Sequence, residues 1–130
     1  MKIKCNYLIK DSISFGVELE CGKDIRDLDS SYDMYDYEVS ENHFLGKTVD
    51  VLKKEDIPTI HHKNFRGDWR RLRSWIVGFD NSILYDFKIE IRSPILKGEP
   101  GLKKLLKVVR ILEQNKYKFD NSCGLHVHID

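Results

Sequence analysis

A period-two alternation of apolar and polar residues recurs along the chain, in Phe15, Val17 and Leu19, in Phe87, Ile89 and Ile91, and in Leu125, Val127 and Ile129. In an extended chain, residues two apart share a face. Each segment therefore predicts a half-buried strand, with Gly16, Glu18 and Glu20, then Lys88, Glu90 and Arg92, then His126, His128 and Asp130 on the opposite faces. A sheet apolar on one side needs a cover. The segment Gly101 to Asn115, opened by Pro100, supplies one: Leu102, Leu105, Leu106, Val109 and Leu112 form a helical stripe opposite Lys103, Lys104, Lys107 and Arg110. The expected fold class is α+β, a mainly antiparallel sheet with helices on one face.

The remaining segments are read more coarsely. Trp75 to Asp80 predicts another strand, and Asp80-Asn81-Ser82 a turn, because such short polar side chains bond to nearby backbone. Ser93-Pro94 stops the strand before it, and Asp120 to Gly124 turns into the last one. Gly22 to Tyr37, rich in Asp, Ser and Tyr, predicts an irregular loop. Thr48 to Lys54 predicts a short helix capped by Thr48 and ended before Pro58. No repeat or interdomain linker is visible, so residues 1–130 are expected to form one unit or part of one.

Composition excludes several functions. Lys and Arg number 22 against 21 Asp and Glu, a net charge of +1, which gives no global field for nucleic acid or an acidic membrane. Arg66, Arg70, Arg71 and Arg73 around Trp69 are expected to form a solvated basic face. Cys5, Cys21 and Cys123 are odd in number and lack C-x-x-C spacing, which argues against a disulfide framework or structural zinc. No signal peptide or membrane span is evident, and a soluble, cytoplasmic protein is expected.

The polar faces carry the chemistry. Glu18 and Glu20, Glu90 and Arg92, and His126 and His128 would share one open side of the sheet. Carboxylates crowded together raise each other's pKa or require a cation. Hard carboxylate oxygens with one or two imidazoles suit Mg²⁺ or Mn²⁺ better than zinc. A solvated sheet face remains the ordinary reading of Glu18 with Glu20 alone, and a surface pair that of Glu90 with Arg92. Two histidines and a carboxylate also fit an iron site.

Phe15 to Glu20, Trp75 to Ile83, Ile89 to Pro94 and Ser122 to Asp130 resemble, in order, the motifs of the amidoligases. These are carboxylate–amine ligases with a glutamine-synthetase-like catalytic fold, related to glutamate–cysteine ligases. The resemblance implies that Glu18, Glu20, Glu90 and His126 bind divalent metal, Mg²⁺ or Mn²⁺. Glu18, Glu90 and His126 would be catalytic. His128 would contact nucleotide phosphate, with Arg92 as a second cofactor-binding residue and Asp80 near substrate. ATP would phosphorylate a small-molecule or peptide carboxylate, and an amine would displace phosphate to leave an amide. Family members continue past Gly124 to Asp130 with further strands and arginines. The chain is therefore expected to be the amino-terminal part of such a catalytic domain, roughly half of it, completed by downstream sequence or by homo-oligomerisation. The alternative is a non-catalytic short relative acting as an interaction protein.

Overall fold

The computed structural model describes residues 10–24, 37–68, 71–80 and 87–129. Cys5, Trp69, Arg70, the Asn81-Ser82 turn, Asp130 and most of the Gly22 to Tyr37 loop lie outside them. The elements are β1 (Ser14–Lys23), α1 (Tyr37–Lys54), β2 (Thr59–His61), a 3₁₀ turn (His62–Asn64), β3 (Trp75–Phe79), β4 (Phe87–Arg92), β5 (Leu96–Lys97), α2 (Gly98–Gln114) and β6 (Leu125–Ile129).

The sheet runs β2-β3-β4-β1-β5, with β6 on the other side of β1. Among the described residues only β2 with β3 is parallel; the other strand pairs are antiparallel. The alternation in β1 and β4 does what its spacing predicts, since Phe15, Val17, Leu19 and Cys21 are buried with Phe87, Ile89 and Ile91. Both helices lie over this face: Phe44, Leu45, Val49 and Leu52 of α1 and Leu105, Val108, Val109 and Leu112 of α2 join the same core. The fold is the expected α+β class.

One edge of β1 is shared between two partners. Residues 18–23 pair with β4, then Ser14 and Phe15 pair with β5. Ser93, between them, is buried, and its Oγ accepts a 2.9 Å hydrogen bond from the Val17 N–H while its own N–H donates to Val17 O at 2.8 Å. The serine side chain thus fills the gap that the following proline opens in the ladder.

Four expectations are corrected. Helix α1 starts at Tyr37, not Thr48. Thr48 is fully buried mid-helix, where its hydroxyl bonds Phe44 O at 3.0 Å and Tyr117 Oη at 2.6 Å. Bonding back to the i−4 carbonyl lets a hydroxyl sit on an apolar helix face. Of the residues expected in the irregular loop, Gly22 and Lys23 belong to β1 and Tyr37 to α1. Helix α2 opens at Gly98, placing Pro100 inside the first turn, where its missing N–H would have no partner anyway. Gly98 has φ +56°, and a Cβ there would meet Asp11 Cα at 2.8 Å. The fourth correction concerns β6, which is not half-buried: Leu125, Val127 and Ile129 are 40%, 51% and 72% exposed. They project on the helix side of the sheet, as their partners Leu19, Val17 and Phe15 do, beyond the helices' cover.

Both helices end alike. Asp56 (φ 60°) and Lys116 (φ 66°) take the left-handed conformation. After each, Ile57 N–H bonds Leu52 O at 3.1 Å and Tyr117 N–H bonds Leu112 O at 3.0 Å, which closes the last turn and folds an apolar residue back onto the core. No helix among the described residues is long and apolar enough to cross a membrane.

Candidate active site

The site lies on the uncovered face, and strand register lays it out in rows. Residues directly opposite in neighbouring strands share a face. Arg92 faces Glu18, which faces His126; Gly78 faces Glu90, which faces Glu20; Gly16 faces His128. Three strands therefore bring Glu18, Glu20, Glu90, Arg92, His126 and His128 onto one surface.

Glu18 is the hub. His126 Nδ1 is 3.3 Å and His128 Nε2 3.6 Å from its Oε2, and Arg92 Nε is 3.6 Å from its Oε1. Burial pushes the Glu18 carboxyl upward in pKa; hydrogen bonds from His126 and His128 and the Arg92 charge together outweigh it and hold the group below its ordinary value. Arg92 Nε also donates to Glu90 Oε1 at 2.7 Å.

Beside the hub, oxygens of Glu20, Asp80 and Glu90 all lie within 4.8 Å of one another. Glu20 is buried, and its Oε2 accepts the Gly124 N–H at 2.7 Å. Gly124 allows this closeness, because a Cβ there would stand 3.1 Å from Glu20 Oε2 and 3.2 Å from His126 Nε2. The same glycine thus abuts both carboxylate and imidazole. Three carboxylates so placed in a partly dry setting suit a hard divalent cation, whose charge offsets their repulsion.

The residues expected to hold metal fall into two adjoining groups: Glu20 and Glu90 with Asp80, and Glu18 with His126. Asp80, just past the end of β3, follows Ile76 and Gly78 at the period-two spacing and so shares their face with Arg92 and Glu90; the family resemblance expected it near substrate.

Two cavities flank Arg92. One, of about 230 Å³, is lined by Phe65, Leu72 and Ile76 together with Glu18, Arg92 and His128. The other, of about 210 Å³, includes His62, Phe79 and Glu90. His62 packs over Gly78, where a Cβ would lie 3.7 Å from its own Cβ. These loop residues carry no sequence signal beyond the His61-His62 pair. The basic residues expected at the surface are there, since Arg66, Arg71 and Arg73 are exposed. Arg66 Nη1 bonds Lys63 O at 2.8 Å and Phe65 O at 2.9 Å, bracing the loop that carries Phe65.

The profile of the family described as "Putative amidoligase enzyme" matches residues 11–130. No curated protein and no solved structure matches the chain.

Proposed function

The chain belongs to the amidoligase family, and from that premise we propose that it is the metal- and ATP-binding part of a carboxylate–amine ligase. The observation that carries this reading is the convergence of the Glu20, Asp80 and Glu90 carboxylates beside the Glu18–His126–His128 hub. Glu20, Asp80 and Glu90 would hold one Mg²⁺ or Mn²⁺, and Glu18 with His126 a second. Such ions polarise phosphoryl oxygens and neutralise the charge that develops during transfer.

In the reaction, a carboxylate oxygen of the acid attacks the γ-phosphorus of ATP, ADP leaves, and an acyl phosphate forms. The amine nitrogen then attacks the acyl carbon, the C–O bond to phosphate breaks, and the nitrogen loses a proton. The protein's own contribution is positioning and fixed charge. Glu18 orients the two imidazoles, so His128 presents a ring nitrogen toward the nucleotide phosphates. Gly124 N–H fixes one oxygen of Glu20, leaving the other for the ion. Arg92 fixes one oxygen of Glu90 in the same way.

Calorimetric titration with MnCl₂ tests the reading: wild type is expected to bind, and Glu20→Gln and Glu90→Gln to bind at least tenfold more weakly. ADP release with mixed acids and amines is expected to fall in the same variants. Absence of Mn²⁺ binding in the wild type would sink the proposal. One observation favours the second reading, an interaction module: the exposed row Leu125, Val127 and Ile129 on β6 invites a covering partner. That reading predicts no dependence of any activity on the carboxylates.

A further inference from the structure

The larger question within this reading is which acid the site takes, and the cavity beside Arg92 bears on it. Phe65, Leu72 and Ile76 give it an apolar surface, and Glu18, Arg92 and His128 supply the polar part of the same lining. Glu90 clamps the guanidinium through Nε at 2.7 Å, which fixes its plane; the Arg92 side chain nevertheless remains 58% exposed. A guanidinium held by one edge offers its remaining N–H groups to a planar, two-oxygen acceptor. The volume, about 230 Å³, is below the roughly 300–1,000 Å³ of pockets that enclose drug-sized ligands. A single compact side chain fits that space.

From this juxtaposition we infer that the acid substrate is a carboxylate bearing a compact apolar side chain, an apolar amino acid or a peptide ending in one. Its carboxylate pairs with Arg92 and its side chain enters the cavity among Phe65, Leu72 and Ile76. The inference rests on the ligase reading above and deepens it. Charge adds an order of binding. Glu18, Glu20, Asp80 and Glu90 outnumber the cations Arg92 and Lys88 described on this face, so an anion meets net repulsion until a divalent cation is in place.

The test is a binding measurement on the full chain, by ligand-observed NMR with and without Mg²⁺. The probes are N-acetyl-L-leucine, N-acetyl-L-aspartate and AMP. N-acetyl-L-leucine is expected to bind at least tenfold tighter than N-acetyl-L-aspartate, and only with Mg²⁺ present. Arg92→Gln should weaken it at least tenfold, and Leu72→Trp should erase the preference. L-leucine compared with glycyl-L-leucine separates a free amino acid from a peptide terminus; preference for either supports the assignment. Equal binding of N-acetyl-L-aspartate, displacement of N-acetyl-L-leucine by AMP from the cavity, or indifference to Leu72→Trp overturns it. A Mn²⁺ titration of each sample reports whether the metal site survives. Failure here with Mn²⁺ bound removes only the apolar-acid assignment, whereas failure of Mn²⁺ binding removes the ligase reading itself.

Discussion

Strands β4 and β6 flank β1 with the same alternation, yet one is sealed and the other open. Ile89 and Ile91 of β4 are fully buried, whereas Val127 and Ile129 of β6 are 51% and 72% exposed. Both strands give their polar residues to the same face. The difference is the cover: helices α1 and α2 reach over β4 and β1 but stop short of β6. Alternation thus dictates which way side chains point, while burial depends on what packs above them. The functional face is shared across both edges of β1, and its mechanical support is lopsided.

The comparison can be broken most directly by truncation on its two sides. Ile89→Ala should cost about 2–5 kcal/mol, the range for emptying a packed core site. Chemical denaturation measures this, and a loss under about 1 kcal/mol would show that β4 is not the supported side. Next comes the joint where β4 leaves β1. Ser93→Ala strands the buried Val17 N–H and should cost about 1–3 kcal/mol; a change within error would mean the ladder is closed some other way.

Glu18 sharpens the comparison because it is tied to both edges at once. Its folded pKa lies below its unfolded one, so the charged carboxylate stabilises the fold above the ordinary glutamate value near 4.3. That contribution is lost as pH falls through the lower folded value. Wild type should therefore lose its advantage over Glu18→Gln progressively as pH falls below about 5, read from denaturation midpoints. A difference independent of pH over that range would contradict the hub. The smallest effect belongs to the open side: Val127→Thr should change stability by no more than about 0.5 kcal/mol. A large loss there would mean that β6 is covered after all.

These contrasts also explain what the sequence could and could not disclose. Strands β1 and β4 were legible because alternation is a local signal that the pleat reads out directly. Helix α1 was hidden because its buried stripe includes Thr48, whose hydroxyl resembles a cap until Tyr117 supplies its partner from far along the chain. Strand β2 is only Thr59–His61, directly after Pro58, and its ladder is provided by β3 rather than by its own pattern. In the site, parity alone put Glu18, Glu20, Glu90, Arg92, His126 and His128 on one face. Parity also carries Asp80, two residues past Gly78, onto that face, but it could not supply His62, Phe65 or Leu72, which reach it through loops folding back on the sheet.

The thin support of β6 has a consequence for motion. Among the described residues this strand is joined to the sheet through β1 alone, and its apolar row buries little. Detaching it therefore exposes far less apolar surface than unfolding the core, so it opens at a lower free energy than global unfolding and its amides exchange earlier. His126 and His128 ride on that strand, which makes the complete site one population within an equilibrium. The apparent affinity of any ligand touching both imidazoles is reduced by the detached fraction. Such a ligand, once bound, also clasps β6 against β1 and slows the exchange of its amides.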